Sequence, residues 1–121
     1  MDKKVRIPPD EIVIKSAIAD PKRLDAVRRT SLLDTPPEEC FDHLTRLAAT
    51  LTGAPVTFVS LVDANRDFYK NAHGFGEPLA SARQLAGRTF CHYALVSDGP
   101  FVLDDVPQVQ EYGHGSSVVP L

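Results

Sequence analysis

Apolar residues recur at helical spacing in two stretches of the first half of the chain. Leu24, Val27 and Ser31, closed by Leu32-Leu33, follow Asp20-Pro21. That pair supplies an N-cap side chain and a proline at the first helical position, where a missing N–H loses no hydrogen bond. The spacing predicts a short amphipathic helix over 21–32. A second set, Phe41, Leu44, Leu47-Ala48 and Leu51, follows Thr35-Pro36-Pro37-Glu38. Thr35 and Glu38 stand three apart, as the reciprocal partners of a capping box do, and the prolines occupy first-turn positions. Gly53 then suits a left-handed C-terminus and Pro55 blocks continuation, so a helix is expected over 36–52.

After Pro55 the period changes from helical to alternating. Val56, Phe58, Ser60 and Val62 interleave with Thr57, Val59, Leu61 and Asp63 in a β-branched and aromatic run. This predicts a strand with both faces at least half buried. Asp63 to Arg66 forms a turn held by that charge pair, and Phe68 to Ala72 is the returning strand of a hairpin. Gly74 to Pro78 interrupts regular structure, and a polar connection leads through Arg88 to Thr89, a cap for a short helix over 90–96. Phe101 to Asp105 is a further strand. Residues 1–19 hold Pro8-Pro9 and scattered Val and Ile, and read as a leader or linker before a domain at 20–121. Helix, helix, strand, strand, helix, strand implies an α+β fold with an antiparallel sheet.

Composition narrows the class. The chain has 121 residues, 43% apolar and 24% charged, with a net charge of −3. One domain fits that length, and the balance of charge and hydrophobicity excludes a disordered chain. No apolar run reaches the 18 or so residues of a spanning helix, and no apolar core follows Lys3, Lys4 and Arg6 as a signal peptide requires. Two cysteines, Cys40 and Cys91, are too few for a disulfide framework, which is the expectation for a reduced cytoplasm. Residues 1–33 carry eight Lys/Arg against five Asp/Glu. The acids are interspersed and aromatics are few, which describes a solvated helix face and not a nucleic-acid surface.

Candidate chemistry is sparse. Cys91-His92 are adjacent, and neighbours on a helix diverge by about 100°, which prevents an in-line thiolate–imidazolium pair. A helix N-terminus can activate Cys91, against the plain alternative of a buried core thiol. His43, His73, His92 and His114 fall in no metal-ligand frame, and Gly74-x-Gly76 lacks the third glycine of a phosphate cradle. Asp104 and Asp105 point to opposite faces of a strand and form no acid pair. The residues themselves show no active site, and the expectation is a protein that is not an enzyme.

The order of these segments resembles the first half of a bacterial GAF domain, the small-molecule sensor module of signalling proteins. The resemblance runs from about Arg23 to Val106. It is carried by Leu32-Leu33-Asp34-Thr35-Pro36-Pro37-Glu38, Phe41-Asp42, Pro55, Val59-Ser60-Leu61-Val62-Asp63, Arg66, Phe68, Lys70, Gly74 and the stretch from Thr89 to Val106. It implies helices packed on one face of the sheet and a ligand pocket lined by Phe58, Ser60, Phe90, Cys91 and Val102. It implies a signalling partner, in the form of a kinase, cyclase or transcription factor, and leaves the ligand and any cofactor unknown. The family continues with two more strands and a closing helix, so the resemblance implies a module truncated at its C-terminal side, with an open sheet edge. That edge and the apolar Val118 to Leu121 make a structural dimerisation module the alternative. Relatives that attach a bilin carry their cysteine after the fourth strand, whereas Cys91 precedes it, and cyclic-nucleotide signatures belong to the absent part. A GAF-fold methionine-sulfoxide reductase is the enzymatic alternative, for which Cys40 and Cys91 do not occupy the family's positions.

Overall fold

The computed structural model describes residues 10–102 and the backbone of Ser116–Ser117. Helices α1 (Glu11–Ala19), α2 (Pro21–Arg29) and α3 (Glu39–Thr52) precede a hairpin of β1 (Thr57–Val62) and β2 (Arg66–His73). Then come a short helix α4 (Leu79–Ala82), strands β3 (Gln84–Ala86) and β4 (Arg88–Thr89), helix α5 (Phe90–Ala94) and strand β5 (Ser116–Ser117). Strands β1, β2 and β3 form an antiparallel sheet in that order, and β5 pairs in parallel with β4. The class is α+β, as the pattern implies. Phe101 and Val102 lie outside any strand. The remainder of the strand expected over 101–105, with Asp104-Asp105, His114 and the Val118 to Leu121 end, falls outside the described residues.

Helix α1 occupies part of the stretch read as a leader. Asp10 caps it by accepting from the Ile12 N–H at 2.9 Å, and Asp20 caps α2 by accepting from the Lys22 N–H at 3.0 Å. Only Ile14 and Ile18 of α1 are buried, four residues apart, while Ile12 and Val13 face solvent. Two buried positions diluted by two exposed aliphatics leave too thin a periodicity to recognise.

The capping box expected at the start of α3 does not form, and the helix begins at Glu39. Its N-cap, Glu38, makes no side-chain capping bond. Both members of the expected box turn instead to Lys70, whose ammonium lies 2.7 Å from Thr35 Oγ1 and 2.6 Å from the Glu38 carboxylate. The far end matches the expectation: Gly53 has φ 72° and donates to Ala49 O at 2.9 Å.

Lys70 reaches α3 because β2 carries a bulge. Ser60 pairs with Tyr69 but Val59 pairs with Asn71, so Lys70 is the extra residue between them. Lys70 and Asn71 thereby both serve the α3 side, where Asn71 accepts from Glu38 N at 3.1 Å and donates to Glu38 O at 3.0 Å. Thr57 on the same face donates to Thr45 O at 2.6 Å.

Alternation sends Ser60 and Asp67 to the opposite face, where they meet the β4–α5 segment. Helices therefore cover both faces and not one alone as the resemblance implies, because alternation along β1 sends Thr57 to α3 and Ser60 to Cys91. Helix α3 lies on one face and α5 on the other, with α1 packed against α5. Ile14, Ile18 and Tyr93 form the core there, with Phe90, Leu95, Val96 and Phe101 packed around them.

Candidate functional site

The sheet face beneath α5 carries the residues capable of holding a ligand. Thr89 ends β4 and caps α5: its Oγ1 accepts from Cys91 N at 3.2 Å, and its N–H donates to His92 Nδ1 at 3.0 Å. This reciprocal box, with histidine in the place usually taken by Glu or Gln, starts the helix expected from Thr89. Because Nδ1 accepts, the proton sits on Nε2, which donates to Asp63 O at 2.9 Å at the hairpin turn. The His92 side chain is thus a fully buried tether between α5 and the β1–β2 turn.

Cys91 points away from His92 and onto the sheet, where Ser60 Oγ donates to its Sγ at 3.9 Å. Burial, reinforced by the nearby Asp67 carboxylate, pushes the thiol up to about 12. Burial therefore outweighs the helix N-terminus and favours the protonated thiol at Cys91. The Tyr69 phenol is raised by the same two causes. Asp67 is itself fully buried; its Oδ2 accepts from Thr89 Oγ1 at 3.3 Å, while Oδ1 has no hydrogen-bond partner.

Beside this polar cluster the sheet face is aromatic. The Phe58 and Tyr69 rings meet edge-on at 5.0 Å, Tyr69 and Phe75 at 4.9 Å, and Phe58 and Phe75 stand 5.6 Å apart. Phe90, Cys91, Ala94 and Phe101 line an open depression of about 280 Å³ on α5, with Ala94 exposed.

Of the five residues named from the sequence, Ser60 and Cys91 touch, and Phe90 and Cys91 share the depression. Phe58 belongs to the ring cluster, and Val102 is 62% exposed outside the depression's described lining. Asp67, Tyr69, Thr89, His92 and Phe101 complete the site. Tyr69 was accessible in principle as the cross-strand partner of Ser60, because counting back from the Asp63 to Arg66 turn reaches that pair before the bulge. A larger opening, of about 650 Å³, lies between α1 and the hairpin turn, where Arg88 is taken up by Glu11 through two 2.9 Å bonds. Among the described residues, no group of three or more His, Cys, Asp or Glu is placed to hold a metal ion, and no helix is long and apolar enough to cross a membrane.

No family model, curated protein or solved structure matches this chain.

Two measurable consequences follow from these side chains. Burial holds His92 below its ordinary 6.5. The unfolded chain takes up a proton there that the folded chain refuses, so stability is complete above about pH 6.5 and declines as pH falls below it. Cys91 acts in the opposite sense. The unfolded thiol ionises near 9.0 and the folded one only near 12, so stability declines as pH rises beyond about 9. Melting temperature against pH should show a plateau between these limits, and a Cys91→Ala variant should lose part of the alkaline decline. The thiols should also differ in reactivity. Cys40 is exposed and Cys91 partly buried, so a disulfide reagent at pH 7 should titrate one fast and one slow thiol, with the fast one absent in Cys40→Ser.

Proposed function

We propose that this chain is a GAF-like sensory module of a bacterial cytoplasmic signalling protein, binding a small molecule without transforming it and passing occupancy to a kinase, cyclase or transcription-factor partner. The observation that supports this reading is the sheet face beneath α5, where the Phe58, Tyr69 and Phe75 rings lie next to the Ser60–Cys91 contact and an open apolar depression is lined by Phe90, Cys91, Ala94 and Phe101. A mostly apolar concavity with a few placed polar groups suits ligand retention, and a protonated thiol suits it better than covalent catalysis. Cys40 and Cys91 sit on helices covering opposite faces of the sheet, which speaks against a reductase that passes a disulfide between them. The test is a melting-temperature screen against small molecules, followed by backbone NMR. A ligand at a hundredfold excess over its Kd adds about 2.7 kcal/mol of stability, a shift of several degrees. Shifts should centre on Ser60, Phe90 and Cys91; a screen that moves neither melting nor spectra removes the sensor reading.

A second reading, self-association, is favoured by one surface. Cys40, Leu44, Leu47 and Leu51 of α3 recur at four-three-four spacing, and all are exposed, the leucines by 55, 54 and 75%. That is the spacing of a coiled-coil seam, here on the helix side turned away from Thr45 and the sheet. In sedimentation, this reading expects a dimer that Leu47→Glu converts to monomer. A wild-type chain monomeric at high concentration removes it.

A further inference from the structure

We propose that two copies of this chain associate edge to edge through β1, so that their sheets join into one of six strands and their α3 helices pack antiparallel above the junction. This rests on the self-association reading above and adds to it the sheet edge and the direction of the helices.

Strand β1 is the outer strand of its sheet. At the turn Asp63 N donates to Arg66 O at 2.9 Å, so the odd-numbered residues of β1 direct their N–H and C=O groups to β2 and the even-numbered ones direct theirs outward. Arg23 follows the same alternation, donating to Val62 O at 2.5 Å from outside the sheet. Among the described residues, nothing takes up the outward groups of Phe58 and Ser60. Pro55 bounds this open stretch at one end and Arg23 at the other, and residues 56–60 include no charge. An edge without a charged guard is a template for another strand.

A second copy fits because the open stretch is symmetric about Phe58. Antiparallel pairing about that residue sets Ser60 of one copy opposite Val56 of the other. The two Phe58 side chains, each 40% exposed, then meet on one face of the joined sheet.

The apolar stripe of α3 lies on the same flank. Thr45, 2% exposed, is turned to the sheet, and Thr57 of β1 donates to its carbonyl at 2.6 Å. At about 100° per residue, Asp42 lies about 60° to one side of Thr45, where it shares a cleft with Ala80 and Arg83 beyond β2. Leu44 and Leu51 lie about 100° and 120° to the other side, above the β1 edge. Helix α3 rests on both β1 and β2, and strands are about 4.8 Å apart, so a twofold axis at the edge sets two α3 axes about 10 Å apart. Packed helices stand roughly 8–10 Å apart. The stripe from Cys40 to Leu51 has its midpoint beside Thr45, and Thr45 is bonded to the neighbour of Phe58, so one axis serves strands and helices. Charge selects the direction. Glu39 and Asp42 stand in the first turn of α3, and residues 47–52 carry no charge. Antiparallel helices set the acids against that uncharged end, whereas parallel ones bring acid to acid. An edge pairing of five residues is too small to hold a dimer by itself, which is why the leucines above it are needed.

The test uses the full chain. Sedimentation should show a dimer, and amide exchange at Phe58 and Ser60 should be at least tenfold slower in it than after dilution to monomer. Leu44→Glu, at a position 55% exposed in the single copy, should give a monomer and restore the fast exchange at both amides. Cys40 reads the direction of the helices: along antiparallel helices its two copies stand about 16 Å apart, beyond disulfide reach. A mild oxidant should therefore leave the wild-type dimer unlinked, while Leu51→Cys becomes linked to Cys40 of the other copy. A dimer that joins Cys40 to Cys40 and exchanges Phe58 and Ser60 rapidly has a parallel α3 seam, which overturns the edge pairing and leaves the self-association reading standing. A chain that stays monomeric at high concentration removes both. Slow exchange at Phe58 and Ser60 in such a monomer assigns the edge to another stretch of the same chain, which also overturns the proposal.

Discussion

Replacing Lys70 by methionine is expected to lower the free energy of unfolding by about 3 kcal/mol and to loosen the first turn of α3. The Lys70 side chain has no solvent exposure, and its three donors meet three acceptors: Thr35 Oγ1 at 2.7 Å, Pro36 O at 2.5 Å and the Glu38 carboxylate at 2.6 Å. Methionine fills the same space, so the loss is polar and not a cavity. Two part-buried acceptors lose a charged donor, each worth about 1–3 kcal/mol, while the Glu38 side chain, 51% exposed, regains water. Glu38→Gln should therefore cost less, about 1 kcal/mol, because Lys70 keeps its other partners. Denaturant melts separate the cases: the midpoint should move with an unchanged slope. A Lys70→Met cost below that of Glu38→Gln would show that the ammonium does not hold this junction.

Gly74→Ala should cost a similar amount, about 3 kcal/mol, and disturb the ring cluster on the opposite face of the sheet. Gly74 follows the last residue of β2 with φ 87°, a conformation that costs an alanine energy wherever it occurs. An added Cβ would stand 2.1 Å from Pro55 O and 3.2 Å from the Pro55 carbonyl carbon. Both obstacles are backbone, so neither can rotate aside, and the start of β1 must separate from the end of β2. Phe75, the next residue, would be displaced from Phe58 and Tyr69. Gly76→Ala is the control, because a Cβ there meets nothing within 4 Å. The checks are a denaturant melt and the aromatic NMR shifts of Phe75. Equal stability for the two variants would remove the close approach as the reason for Gly74.

The two sites meet at β2. Lys70 seats α3 on one face, and its neighbour Tyr69 stands in the ring cluster on the other. The bulge that inserts Lys70 also fixes where the alternation of β2 resets. A change at either residue should therefore be felt on both faces.

How much of this was legible in advance depends on the range of each interaction. The turn at Asp63 to Arg66, the left-handed end of α3 at Gly53 and the cap at Thr89 are decided by residues within four positions of one another. Each was predictable from chain order. The cap of α3 was misread for the same reason in reverse: Thr35 and Glu38 have the local spacing of a box, but Lys70, more than thirty residues on, is a stronger partner for both. The leucines of α3 were legible as an amphipathic stripe, while the side of the helix against the sheet is marked by Thr45, which is 2% exposed, and not by Leu44, Leu47 or Leu51.

The candidate site divides in the same way. Of Phe58, Ser60, Phe90, Cys91 and Val102, named from the segments they occupy, Ser60 touches Cys91, Phe90 lines the same depression as Cys91, Phe58 belongs to the ring cluster and Val102 is exposed. Asp67, Tyr69 and Phe101 were not named, since nothing local in a strand or a loop says which distant helix will settle over it. Taken alone, the order of residues determined an α+β class, a hairpin and the helices with strong end signals, because caps, turns and alternation act through the backbone over a few positions. Only the tertiary structure decided which face each helix covers, that Lys70 replaces a capping box, that α1 belongs to the core, and that burial raises the Cys91 thiol. Those outcomes depend on burial and on charges meeting across the sheet, and both are properties of the packed chain.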